Sequence, residues 1–131
     1  TFVSLASVAL LAACGEVSTT GNSGSSSANA GTEVGKTLKV GFNFEETGDV
    51  ASYGTAEQKG AQLAVDEINK AGGVDGKQIE VTDKDNKSEL SEAATVSTNL
   101  VTQAKVIAIV GPATSGGTGA AVTNAAKASV P

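Results

Sequence analysis

Residues 105–111 read KVIAIVG, and from Val106 to Val110 every side chain is aliphatic. A strand-length run with no polar alternation cannot turn one face to water. It calls for cover on both faces, as in a parallel sheet layered with helices. Two further segments supply strand partners. TLKVGFNF (37–44) sets Leu38, Val40, Phe42 and Phe44 on one side, and KQIEVTD (77–83) is a weaker signal of the same kind. Helical patterns lie between and after them.

The first helix is expected from a capping box at Thr55 and Gln58. Gly60, Leu63, Ala64, Ile68 and Ala71 form its apolar side, Asp66, Glu67 and Lys70 its wet face, and Gly72-Gly73 its stop. The second is expected to start near Ser88 and to repeat Leu90, Ala93, Ala94, Ser97, Leu100, Val101 and Ala104. Glu89 and Glu92 fall in its first turn, where the helix dipole favours negative charge. The third is expected from Thr118 to about Ser129, with Ala121, Val122, Ala125 and Ala126 on one side. The order β-α-β-α-β-α predicts an α/β fold with a parallel sheet and right-handed crossovers. Ligands of such sheets bind beyond the carboxyl ends of the strands. That directs attention to the loops Glu45–Gly54 and Gly111–Gly117.

Aromatic residues make up 3% of the chain and hydrophobic residues 40%, so the core must be aliphatic. Nine Lys plus Arg against 14 Asp plus Glu, with net charge −5 and no basic block, argue against a nucleic-acid partner. With no His and one Cys, no transition-metal site and no cofactor are expected. Nor is an enzyme expected: no acid–base pair stands out, and Ser115 has no candidate base to activate it.

The single cysteine sits at a seam. Phe2 to Ala13 is an uncharged, mostly apolar run, too short to span a bilayer but of the length of a secretory h-region. No charged segment precedes it and the chain begins at Thr1, so the natural start is expected upstream. Leu11-Ala12-Ala13-Cys14 resembles the lipobox of bacterial lipoproteins, which implies a lipid on Cys14; a free thiol or an intermolecular disulfide is the alternative. Multiple acyl chains give stable anchoring where one is marginal. From Gly15 to about Lys36, Ser, Gly, Thr and Asn dominate, a composition that cannot offset the entropy of ordering. As a flexible coil it would span about 25 Å.

The loop GPATSGGTG (111–119) fails two nucleotide signatures. Gly111 and Gly116 have P-loop spacing, but Gly117 stands where lysine is needed. A dinucleotide fingerprint starting at Gly117 meets Val122 at its third glycine position, and the loop follows the third strand. Backbone N–H groups at a helix N-terminus, flanked by Thr114, Ser115 and Thr118, suit a carboxylate or another small anion. A tight glycine turn capped by Ser115 or Thr118 explains the same residues.

TGDVASYGTAEQKGAQLAVDEINKAGGVDGKQIEV, followed by VIAIVGPATSGGTGAAV, closely resembles the solute-binding proteins of branched-chain amino-acid ABC importers. The resemblance runs from about Thr37 to Pro131. It implies a Rossmann-like partial lobe, the first part of the N-terminal lobe of a two-lobe, type I periplasmic-binding-protein fold, with the second lobe missing. It also implies that Ser115 binds the ligand α-carboxylate, that Tyr53 lines the cleft, and that Ala113 and Thr114 border the same pocket. Where such proteins often carry Pro and an aliphatic residue before the T-G of the first loop, this chain has Glu45 and Glu46. A solvated loop is the simpler reading; a cleft edge favouring a cationic or polar ligand is the other. The run Asp83 to Lys87 lacks the Gly and distal Glu of a calcium loop and is read as a solvated turn.

Three segments are thus expected: an h-region and lipobox at 1–13, a lipidated Cys and Ser/Gly tether at 14–36, and a partial lobe at 37–131. The resemblance implies an extracytoplasmic lipoprotein at the outer face of the bacterial cytoplasmic membrane. It would bind an amino acid, with Leu, Ile or Val foremost, and deliver it to an ABC-transporter permease. The alternative is a ligand-sensing receptor module of the same fold, taking another amino acid, an amide or a small carboxylate.

Overall fold

The computed structural model describes residues 35–131. The h-region and lipobox at 1–13, Cys14 and nearly all of the tether at 14–36 lie outside the described residues. From Thr37 the chain follows the expected order: β1 (Thr37–Phe44), α1 (Ala51–Lys70), β2 (Gln78–Asp85), α2 (Leu90–Asn99), a wider π-helical turn (Leu100–Ala104), β3 (Ala108–Val110) and α3 (Ser115–Lys127). The sheet is parallel throughout, in the order β2-β1-β3, with Val40 opposite both Val81 and Ala108.

β1 is the central strand, and the two sides of the sheet have separate cores. Phe42 and Phe44 meet edge to face at 5.6 Å and pack with Val65 of α1. On the other side Val96 and Leu100 pack with Val106 and Val130. That second side also holds a buried polar chain. Asn43 donates to the Ala93 carbonyl (3.0 Å), and Asn86 donates to the Asn43 amide oxygen (3.1 Å). Ser97 donates to Ala121 O (3.0 Å), joining α2 to α3. Among the described residues each buried side-chain nitrogen or oxygen finds a partner, as burial requires.

Several expectations are corrected. α1 begins at Ala51, a turn before the expected cap. Thr55 donates back to Ala51 O (2.7 Å) and Gln58 donates to Asp83 (2.6 Å), so they form no capping box. The loop before α1 is held from outside instead: Ser88 Oγ donates to Thr47 O (2.7 Å) and accepts from Val50 N (3.3 Å). The apolar side assigned to α1 is also wrong. Leu63 is 60% exposed and Ile68 38%, while Gly54 and Val65 are buried. The inward face is chosen by fit to the sheet. Asn69 clamps Ile79, donating to its carbonyl (2.8 Å) and accepting from its N–H (2.7 Å).

β3 is shorter than the run 105–111 suggests and is not covered on both faces. Val106 is fully buried, but Val110 is 40% exposed. Among the described residues β3 pairs with β1 alone; on its other side Ile109 N–H donates to Pro131 O (2.8 Å). β2 runs on through Asp85, so three of the five residues in the charged run are strand, and Asn86 is buried rather than solvated. α3 starts at Ser115 under a cap from Thr114, whose Oγ accepts from Gly117 N (3.2 Å); neither Ser115 nor Thr118 caps it.

Candidate functional site

The carboxyl ends of β1 and β3 lie side by side, and the chain leaves both toward the same end of the sheet. Gly111, at the end of β3, has φ 96°, and a Cβ there would stand 2.4 Å from Asn43 O. Only glycine permits this approach. It brings 112–114 against the end of β1 and aims the first turn of α3 across it.

The contact that fixes this corner comes from Glu45, which is 1% exposed. Its carboxylate accepts from Ala113 N (2.8 Å) and from the Thr114 hydroxyl (2.8 Å). Glu45 is therefore not a solvated loop residue. Its carboxyl group is seated on the N-terminal turn of α3, where unpaired N–H groups supply donors. Two glycines make room. A Cβ on Gly117 would lie 3.0 Å from Glu45 Oε1, and one on Gly54 would lie 2.2 Å from Glu45 O. Sequence reasoning missed this role. The available signal was a carboxylate directly after the central strand in a fold whose third loop is rich in N–H groups.

Ala113 and Thr114 are half-buried and engaged by Glu45; Ser115 follows them on the open side, exposed. Among the described residues its hydroxyl makes no hydrogen bond, and its N–H and that of Gly116 lie in the helix's first turn, without an intrahelical acceptor. Thr118 Oγ donates back to Thr114 O (2.9 Å). Tyr53 is 66% exposed in the first turn of α1, next to the Gly54 that abuts Glu45. Glu45 thus touches the elements that carry both expected ligand residues, Ser115 and Tyr53.

A second acidic group borders the first loop. Asp85 accepts from Glu46 N (3.0 Å), Thr47 N (3.2 Å), Thr47 Oγ (2.6 Å) and Lys87 N (2.8 Å). Burial pushes Asp85 up, but these hydrogen bonds outweigh it and hold the carboxyl below its usual range. Glu46 is pushed up, first by burial and then by its hydrogen bond to Asp83 and the charges of Asp83 and Asp85. Among the described residues no group of three His, Cys, Asp or Glu side chains is placed to hold a metal ion, and no helix is long and apolar enough to cross a membrane.

A family model described as "Periplasmic binding protein" matches residues 37–131. The chain is 38% identical over 65 residues to a leucine-, isoleucine-, valine-, threonine- and alanine-binding protein of Pseudomonas aeruginosa, covering 50% of this chain and 17% of that protein. It superposes on the branched-chain amino acid transporter substrate binding protein LivJ of Streptococcus pneumoniae, in complex with isoleucine, with a TM-score of 0.72 and 78% identity. That match covers 72% of this chain and 27% of the other. A solute binding protein of an R. palustris ABC transporter, in complex with benzoate, superposes with a TM-score of 0.64 and 28% identity, over 72% of this chain and 26% of that one. The matches therefore span about a sixth to just over a quarter of the length of these proteins.

Proposed function

The chain belongs to the periplasmic binding protein family, and on that footing we propose that the natural protein captures an amino acid of the Leu/Ile/Val class outside the cytoplasm and delivers it to an ABC importer. Binding followed by release to a permease, not catalysis, is its task. The observation that carries the reading is the 78% identity to a structure with isoleucine bound. Ser115 offers a hydroxyl and an N–H, and Gly116 a second N–H, to the ligand carboxylate. A carboxylate leaving water needs such donors, because burying it unpaired is very costly. Tyr53 lines the cleft, and Ala113 and Thr114 border it while Glu45 holds them in place. A lipid on Cys14 tethers the protein to the outer face of the cytoplasmic membrane; retention of a Cys14→Ser protein on membranes would overturn that assignment.

The test is calorimetric titration of the natural protein with leucine, isoleucine and valine. A hydrogen bond to a charged group contributes about 1.5–3 kcal/mol, so Ser115→Ala should weaken binding by about ten- to a hundredfold. The melting temperature without ligand should hardly move. Tyr53→Ala should also weaken binding, through lost cleft packing, and Thr118→Ala should act on stability alone. Unchanged affinity in Ser115→Ala would remove the carboxylate from α3.

A second reading is a receptor of the same fold for another amino acid, an amide or a small carboxylate. The benzoate-bound relative favours it. Titration with benzoate and with polar amino acids separates the two.

A further inference from the structure

α1 begins without a side-chain cap: Val50 is its N-cap and offers no side-chain hydrogen bond, and the first turn carries no acidic residue. Helix starts usually rely on such groups, because their first N–H donors have no partner within the helix. The segment before α1 is secured instead by the loop that follows β2. Asp85 gathers Glu46 N, Thr47 N and Thr47 Oγ, and Ser88 Oγ bridges Thr47 O (2.7 Å) and Val50 N (3.3 Å). Gly48 lies against the same loop, where a Cβ would come within 2.4 Å of Lys87 O. Ser88 makes its bridge from an unusual backbone. Lys87 and Ser88 have φ of 58° and 62°, in the left-handed region that residues other than glycine rarely occupy. Asp85 accepts from Lys87 N (2.8 Å) and Asn86 Oδ1 accepts from Ser88 N (3.0 Å), so the two residues are held there by their neighbours. The result is a hydroxyl aimed at the start of α1. Val50, which donates to that hydroxyl, accepts at its carbonyl from Tyr53 N (3.0 Å). Tyr53 itself is 66% exposed, so its place is set by the turn that carries it more than by packing of its ring.

We propose that Ser88 is a positioning residue for the ligand site: its hydroxyl fixes Val50, and through Val50 the helical turn that presents Tyr53 to the cleft. The inference rests on Tyr53 lining that cleft. It gives the loop after β2 a part in ligand affinity as well as in holding the fold together.

The experiment is calorimetric titration of the natural protein with isoleucine, with a thermal melt of each variant alongside. Ser88→Gly and Ser88→Ala both remove the hydroxyl, but glycine adopts a φ of 62° far more readily than alanine. The glycine variant should therefore melt above the alanine variant. Both should lose isoleucine affinity by the same factor, about three- to tenfold, the scale of ordering one side chain on binding. A merely structural role predicts instead that affinity follows stability, with alanine the more harmful. The second readout is Tyr53. With Tyr53→Ala already in place, adding Ser88→Gly should change isoleucine affinity by less than about twofold, because the side chain that the hydroxyl positions is gone. Parent-like affinity in Ser88→Gly and Ser88→Ala overturns the proposal. So does an affinity that tracks the melting temperature across the two, or a loss of equal size with and without Tyr53→Ala. Unchanged isoleucine binding in Tyr53→Ala alone fails the underlying site. Weakened binding in Tyr53→Ala with parent-like binding in Ser88→Gly fails Ser88 alone.

Discussion

Asp85 and Glu46 sit on one loop and respond to pH in opposite senses. Asp85 is held below its ordinary value of 3.8 in the folded state. Its contribution is therefore present above the unfolded value and is lost as pH falls through the lower folded value. Glu46 is raised above 4.5, so its protonated form suits the fold. Its contribution is complete below the unfolded value and is lost as pH rises through the raised one. Glu46→Gln should thus stabilise the natural protein at about pH 7 and change little at about pH 4, where the side chain is already largely protonated. Asp85→Asn should do the reverse, costing stability at neutral pH and flattening the loss in acid. Denaturant unfolding of both variants across this range checks the signs; a Glu46→Gln gain that shrinks as pH rises would contradict the assignment.

The packing of α1 against β1 depends on one missing side chain. Gly54 is buried, and a Cβ there would collide with the Glu45 backbone at 2.2 Å for O and 2.6 Å for C. Backbone cannot step aside as a flexible side chain can. Gly54→Ala must push the first turn of α1 away from the sheet, carrying Tyr53 with it. The cost should lie toward the upper end of the usual range for overpacking, about 1–3 kcal/mol. Affinity for isoleucine should fall as well, because the shift moves a cleft residue. Thermal melts and titrations of the natural protein with Gly54→Ala check both effects. An unaltered melting temperature would mean that α1 does not sit as tightly on Glu45 as described.

Taken together, the described residues make a three-stranded sheet with β1 at its centre and two edges. Val110 is 40% exposed and Val122 53%. They belong to β3 and α3 on either side of a groove of about 220 Å³ lined by Ile109, Pro112, Ala121 and Val130. An apolar edge of this kind invites association with other chains. Residues 37–131 produced alone should therefore be marginally stable and aggregate readily, and they should bind no amino acid measurably. A cooperative melt above about 60 °C, typical of well-behaved domains, would contradict this.

Local sequence was enough for whatever depends on neighbours along the chain. The order of strands and helices, the Gly72-Gly73 stop and the glycine-rich turn into the third helix follow from spacing and turn chemistry. So does the presence of Ser115 in that turn, although α3 starts three residues earlier than Thr118. Tertiary structure alone decided the rest. Apolar count pointed to Leu63 and Ile68, yet α1 turns Gly54 and Val65 inward, because a helix face is selected by what fits the sheet. The cap of α3 fell to Thr114, whose hydroxyl is oriented by Glu45. Glu45 itself looked like a loop charge until folding brought it to Ala113, 68 residues away in sequence. A carboxylate's surroundings are set by partners that no local pattern encodes, so its burial and its hydrogen bonds emerge only when the ends of β1 and β3 meet.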